Sequence, residues 1–482
     1  MRTRRDQVQA YRFVTRRIVS ALLSGEPETS ELPMRRLGMA VFGSTMVALI
    51  VLGIVGAYGL FTSNRAPLET GTLVIERETG AKFVYREDGK LYPTLNYASA
   101  RLLAGSDSTV RTMSQASIRQ VPRGHTVGIP DAPDALPETK SLVGLPWSVC
   151  NVPDPADVAR PTTAVVIHQQ LSGGTALGTE AVLLSSGDNR YLVWNNLRMR
   201  VSGGDATIAA LGMTSVRPLV VGEQVVNAIA AGPDLAPVQV AGAGEPSPHR
   251  VGAGTSVVGQ VFRAAGQHFV LARTGLVSIS EITARLLLAG GGEISDITAE
   301  QAGSLLSQER LDPEGFPQTI PQIRPVAAAR AVICATYRHA GAGGVLTTTV
   351  EVFDRAPSEL SPERSLQVQQ TGRDAVRTVE RVVVPGGHGV LARAMPGNGE
   401  GDGDAVGGTV YLITDQGVRY PLGTASGDAK AALGYGDTTP VAVPASMLAL
   451  IPVGPTLDAT AAMRFADPAA APAPAQSPAT GG

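Results

Sequence analysis

The sequence predicts an α+β membrane protein with an N-terminal amphipathic helix, one transmembrane helix, and then a long body of small β-rich repeats around a β core. Three observations predict it. Residues 37–61 contain no charged side chain, and a helix needs about 20 apolar residues to cross a bilayer. Arginines crowd the short segment before this run and thin out after it. Beyond it, four segments share one plan of strand, turn, strand and small helix, each closing on a glycine.

Composition sets the limits. The chain has 482 residues, 44% of them hydrophobic but only 4% aromatic, so its cores are built of Val, Leu, Ile and Ala. The 55 glycines and 34 prolines point to a loop-rich β protein rather than disorder. A formal charge of −2 excludes the strong basic excess of a nucleic-acid binder. The length is that of several domains.

In the leader, Tyr11, Val14, Ile18 and Leu22 recur at helical spacing, and Arg5, Arg12, Arg16 and Arg17 lie largely elsewhere on the wheel. A basic amphipathic helix beside a membrane either contacts anionic headgroups or binds an acidic protein partner. Arg12, Arg16 and Arg17 are the candidate contacts at the cytoplasmic face. Gly25 and Pro27 end the helix, and EPETSELP makes a short polar linker.

The span itself reads as an uncleaved signal anchor. A secretory signal has a shorter apolar region and a small-residue cleavage site, and FTSNRAPLET offers none. Arg2, Arg4, Arg5, Arg12, Arg16, Arg17, Arg35 and Arg36 precede it. Positive charge stays on the cytoplasmic side, so the N-terminus is expected inside and everything after about residue 61 outside. Gly43, Gly53, Gly56 and Gly59 would let a second helix approach closely.

The repeated segments begin at Gly71, Gly178, Val257 and Gly407. Their turns, Thr79-Gly80, Gly187-Asp188, Ala265-Gly266 and Gln416-Gly417, suit positive φ. Gly105, Gly212, Gly290 and Gly434 are the expected C′ caps of the four helices. A unit of about 30 residues cannot bury its own core, so each must lean on a neighbour. After three units a Gly-turn segment follows (VPRGHTVGIP, AAGPDLAPV, IPVGPTLDA), and it is expected to tie each unit back to a shared sheet.

The two cysteines, Cys150 in LPWSVCNV and Cys334 in RAVICATY, sit in matching contexts, each on an apolar strand followed by a loop and a second strand. They read as equivalent positions in two related halves of a core. An oxidising compartment favours a disulfide, and two buried free thiols is the alternative.

The motifs of common chemistries are missing. None of the six histidines has another at i+3 or i+4, so no zinc signature of the HExxH kind is present. Neither a Gly-x-Ser-x-Gly elbow nor a Walker A sequence occurs. Gly89-Lys90 is followed by Leu and falls in a hairpin turn, so ATP hydrolysis by a P-loop is excluded. The Gly-acid stretch at residues 397–408 reads as a solvated loop, with calcium as its only candidate ligand. The Ala/Pro-rich end reads as an extended tail.

Taken together, AYRFVTRRIVSALL, the single anchor, PRGHTVGIP and the strands around Cys150 and Cys334 resemble the EccB family. EccB is the membrane component of the ESX, or type VII, secretion system of mycobacteria and related actinobacteria. The resemblance covers nearly the whole chain, up to about residue 466. It implies a plasma-membrane protein with a cytoplasmic N-terminal helix and an elongated, quasi-two-fold periplasmic part, in which four repeat lobes surround a central β core. It also implies a disulfide between Cys150 and Cys334, no cofactor and no catalytic or metal-binding residues. The partners it implies are EccC-like ATPase, EccD-like and EccE-like subunits, with the mycosin protease alongside, self-association within the complex and contact with the cell wall. The function it implies is that of a structural subunit; an envelope nucleotide hydrolase without a P-loop and a peptidoglycan-binding anchor are the alternatives. The expected boundaries are 1–36 for the leader, 37–61 for the span, 62–110 for lobe 1 and 111–176 for the first core part. Lobes 2 and 3 follow at 177–250 and 251–315, the second core part at 316–406, lobe 4 at 407–465 and the tail at 466–482.

Overall fold

The computed structural model describes residues 4–25, 33–61, 68–154, 156–157, 159–252, 254–327, 329–339, 345–361, 366–367, 377–395, 408–424 and 428–465. The chain divides into two compact bodies, Met1–Glu69 with Met113–Gln120, and Thr70–Thr112 with Val121–Gly482.

The first body holds helices α1 (Arg4–Ser24) and α2 (Pro33–Phe61). Gly25, at φ 70°, ends α1 and donates its N–H to Ala21 O at 3.2 Å. Pro27 lies outside the described residues. In α2 the stretch Leu37–Ala57 is long and apolar enough to cross a membrane, and its side chains are exposed throughout. Apolar surface left in water costs about 25 cal/mol per Å², so such a helix calls for a lipid surround.

The second body is built of five sheets. The first is a meander of β1 (Leu73–Glu76), β2 (Lys82–Tyr85) and β3 (Leu91–Thr94). It is followed by α3 (Tyr97–Ala104) and by β4 (Val110–Met113), which lies beside β1. The Asn96 side chain caps α3 by accepting from Ser99 N at 2.9 Å, and Gly105 at φ 85° ends it. The short helix α4 (Gln115–Ile118) falls in the first body. The core strands β5 (Trp147–Val152), β6 (Thr162–Ile167) and β7 (Thr175–Ala176) come next.

The second sheet has β8 (Ala181–Ser186), β9 (Asn189–Trp194) and β10 (Leu197–Arg200) as its meander, then α5 (Gly204–Ala210). β11 (Leu219–Val220) pairs parallel to β8, and after α6 (Glu223–Ala228), β12 (Ala230–Ala231) pairs parallel to β10. The third has β13 (Val261–Ala264), β14 (Gln267–Ala272) and β15 (Gly275–Ile279), then α7 (Glu281–Leu287). β16 (Ile294–Asp296) pairs parallel to β13, followed by α8 (Ala299–Ser304). The chain then returns to the core in β17 (Val332–His339), β18 (Leu346–Phe353), β19 (Leu366–Gln367) and β20 (Arg381–Val383). The fourth sheet contains β21 (Gly389–Met395), β22 (Val410–Thr414) and β23 (Arg419–Pro421), then α9 (Ala429–Ala432). β24 (Val441–Pro444) pairs parallel to β21, and α10 (Ala445–Ala449) and α11 (Ala459–Ala462) close the chain.

The strand pairing corrects three expectations. The Gly-turn segments do not join a shared sheet. Each runs parallel to the third strand of its own sheet: Arg123 and Val127 bridge β3, Leu235 bridges the end of β10, and Val453 and Leu457 bridge β23 and its end. The third sheet has the same return at Leu306, bridged to Leu276, without a Gly-turn signature in its sequence. Gly290 is not the left-handed cap of α7. The helix tightens into a 3-10 turn over Leu288–Gly290, and Gly291 takes φ 104°. Gln416-Gly417 makes the second turn of its sheet, whereas the other three predicted turns make the first. The first strand there is β21, which precedes the expected start at 407. The Gly-acid stretch at 397–407 and the tail at 466–482 lie outside the described residues.

The core sheet has the order β19-β20-β6-β5-β17-β18-β7. One face, with Trp147, Val149, Ala335, Tyr337 and Val350, belongs to the largest hydrophobic cluster, which extends to α6 and α10. The other face carries Cys150, Val166, Cys334 and Phe353. Separate clusters pack the first sheet's α3 against the fourth sheet, and the second sheet against α7 of the third.

Candidate functional site

Two features stand out among the described residues: the apolar helix α2 with the basic helix α1 before it, and the cross-linked core sheet. In α1 the apolar residues Val8, Tyr11, Val14, Ile18 and Leu22 are exposed, as are Arg12, Arg16 and Arg17. The Arg17 guanidinium lies over the Phe13 ring at 5.9 Å. The apolar and the basic side chains of α1 are therefore exposed alike.

The structure joins Cys150 and Cys334 in a disulfide across a sequence separation of 184. The two residues are direct partners in the antiparallel pair β5·β17, in the middle of the seven-stranded sheet. On the same face, Ser148 Oγ lies 3.0 Å from Thr336 Oγ1, which donates to Glu351 Oε2 at 2.9 Å. Arg338 Nη2 completes the chain with a 3.2 Å ion pair to Glu351 Oε1. Ser148 and Thr336 are buried and Glu351 nearly so, so this relay of hydroxyls and carboxylate ties three strands together out of reach of a substrate. Sequence reasoning missed it, because the partners meet only through strand register.

Three tyrosines are governed by burial: Tyr337 on the opposite face of the core sheet, and Tyr420 and Tyr435 in the cluster between α3 and the fourth sheet. Burial pushes Tyr337 up to about 12. Tyr420 is also pushed up to about 12, by burial first and then by the negative charge of Asp131. Tyr435 is raised too, chiefly by burial, and its hydroxyl donates to Pro137 O at 2.7 Å. Tyr337 OH and Trp147 Nε1 are buried without a hydrogen-bond partner among the described residues.

Among the described residues no three His, Cys, Asp or Glu side chains are grouped to hold a metal ion. Two open cavities, of about 760 and 520 Å³, lie beside the start of α6 and share Glu223, Gln224 and Arg377 as lining.

The chain is similar over most of its length to proteins of mycobacterial secretion systems. It is 27% identical over 484 residues to the ESX-3 secretion system ATPase EccB3 of Mycobacterium tuberculosis H37Rv, covering 94% of this chain and 88% of that protein. Its fold resembles a chain of the intact ESX-5 inner membrane complex, with a TM-score of 0.65, 24% identity and coverage of 97% and 96%. It also resembles the EccB3 dimer from the ESX-3 core complex, with a TM-score of 0.61, 24% identity and coverage of 81% and 99%. Residues 1–471 match the family described as type VII secretion system ESX-1, transport TM domain B, and the chain therefore belongs to the EccB family of type VII secretion membrane components.

Proposed function

We propose that this chain is a structural, single-pass subunit of a type VII secretion complex, with its N-terminus in the cytoplasm and its β-rich body in the periplasm. The observation that carries the orientation is the arginine-rich side of one apolar helix. Leu37–Ala57 is flanked by Arg35 and Arg36, with α1 and its arginines before them. In this reading α1 packs on neighbouring subunits through Arg12, Arg16 and Arg17. The partners are EccC-like, EccD-like and EccE-like subunits and the mycosin protease, with further copies of this chain in the same assembly. No cofactor enters the role. The word ATPase belongs to the names of the relatives, and no P-loop sequence is present here.

We further read the four small sheets as copies of one lobe, arranged quasi-two-fold about the core, and specific contacts support this. Arg198 Nε donates to Ile229 O at 3.0 Å with its guanidinium by the Tyr191 ring; Arg419 Nε donates to Ile451 O at 2.7 Å with its guanidinium by Tyr411. Both arginines lie where the last turn of a short helix leaves carbonyls open, after α6 and α10. Likewise Gly124 lies against the Tyr92 ring and Gly454 against Tyr420. In the core, β7 follows β6 in the chain yet pairs with β18, and β20 follows β18 yet pairs with β6, so each half adds an outer strand to the other.

Deleting residues 1–36 tests the role of the leader. Native gels of membranes solubilised in nonionic detergent are expected to show a smaller complex, while the exported body keeps its disulfide and its melting transition. A complex of unchanged size would refute the proposed packing.

A further inference from the structure

Helix α1 sorts its side chains around its axis. At about 100° per residue, Val8, Tyr11, Val14, Ile18, Val19 and Leu22 fall within an arc of about 140°, and all six are exposed. Arg5, Arg12 and Arg16 follow along one border of this arc, and they are exposed too. Asp6, the only acidic residue of the helix, lies on the opposite side. Ser20 is the one buried side chain of α1 among the described residues, and it also faces away from the arc. Packing inside this body therefore uses the far side of α1 and leaves the apolar arc uncovered.

The chain itself brings a partner to that arc. Eight residues separate Ser24, the end of α1, from Pro33, the start of α2. At about 3.4 Å each they reach no further than about 30 Å. Arg35 and Arg36 adjoin the apolar stretch Leu37–Ala57, so α1 is tethered beside the surface of the bilayer that α2 crosses. A tether of this length holds the helix at high effective concentration over the lipid headgroups. Five arginines against one aspartate leave α1 strongly positive. An apolar arc bordered by arginines, with the acid turned away, complements an anionic lipid surface. Apolar side chains enter the acyl boundary, and arginine stems reach back to the phosphates.

We propose that α1 docks in the plane of the membrane on anionic lipid headgroups, with its apolar arc in the acyl boundary and Arg5, Arg12 and Arg16 at the phosphates. Phe13 and Arg17, on the far side, stay available to protein neighbours. An acidic protein surface has the same charge, but the lipid is beside α1 whether or not other subunits are bound. The docking rests on α2 crossing the bilayer and on no particular neighbour.

The test uses the full chain in nanodiscs of phosphatidylglycerol or of phosphatidylcholine, each doped with doxyl-labelled lipid as a quencher. Both native cysteines are in the disulfide, so a fluorophore attaches to a single introduced thiol. Ile18→Cys samples the arc, Ala10→Cys the far side and Val47→Cys the apolar stretch of α2. Strong quenching is expected for Ile18→Cys in phosphatidylglycerol and weak quenching in phosphatidylcholine, with Ala10→Cys spared in both. The ratio of docked to undocked helix is expected to fall about fivefold for each charge removed in the Arg5→Gln, Arg12→Gln variant. Equal quenching of Ile18→Cys and Ala10→Cys would overturn the docking. So would an unquenched Ile18→Cys in phosphatidylglycerol beside a quenched Val47→Cys, the result that a protein occupant of the arc predicts, and it would leave the anchor standing. Quenching of Ile18→Cys that is the same in both lipids, or unchanged by the arginine substitutions, would overturn the headgroup assignment. An unquenched Val47→Cys would refute the membrane crossing itself, and the docking with it.

Discussion

Tyr337 and Tyr435 show how one residue type has opposite value in one body. Tyr337 is fully buried, its hydroxyl without a partner among the described residues, while Tyr435 donates to Pro137 O. Removing an unsatisfied buried polar group relieves a desolvation cost; removing a partnered one forfeits a hydrogen bond. Tyr337→Phe is therefore expected to leave stability unchanged or raise it by about 1 kcal/mol, and Tyr435→Phe to lower it by about as much, read as shifts of the denaturant midpoint. The alkaline limb adds a second readout. A tyrosine in an unfolded chain titrates near about 10. Tyr337 and Tyr420 are held protonated up to about 12 in the folded chain. Their contribution is complete below the unfolded value and is lost as pH rises from there through the folded one. Phenolate absorbance is expected to show these rings ionising only as the fold opens. Ionisation of every tyrosine near pH 10 in the folded chain would contradict their burial. None of this was legible in the sequence, because a tyrosine in a strand looks the same whether or not its hydroxyl finds a carbonyl.

At the level of elements, hairpins, helices and caps were largely readable, because turns and caps are local. Gly80, Gly187, Gly266 and Gly417 all take positive φ where a turn was expected, and Gly105, Gly212 and Gly434 do so where a helix ends. The return strands were misassigned because pairing direction is not local: the same VPRGHTVGIP suits a distant sheet as well as the edge of its own. What fixes it is close approach. A Cβ on Gly124 would lie 2.4 Å from the Tyr92 ring, and one on Gly454 2.4 Å from the Tyr420 ring. Neither glycine takes positive φ, so the requirement is space alone. Gly124→Ala and Gly454→Ala are each expected to cost about 1–3 kcal/mol by forcing the return strand away from its ring. Unchanged thermal midpoints in both variants would show that the return strands have room to spare.

Across the whole molecule, the disulfide crosses the central of the three strand pairs, β20·β6, β5·β17 and β18·β7, that join the two parts of the core sheet. Cys150→Ala with Cys334→Ala frees a link spanning 184 residues in sequence. A loss of about 2–4 kcal/mol is expected, measured by denaturant unfolding followed through the fluorescence of buried Trp147. An unchanged midpoint would mean that the β5·β17 hydrogen bonds and the packing of Trp147 and Tyr337 hold the halves together without it. The sequence by itself determined the apolar span, the arginine bias before it, the recurrence of small hairpin-and-helix units and the family, because each is written in composition or in spacing of a few residues. Only the tertiary structure decided which strand lies beside which. It placed Cys334 opposite Cys150 and carried β7 and β20 across to the other half. Those neighbours are far apart along the chain, and they meet only where burying one face of a strand fixes its register against another.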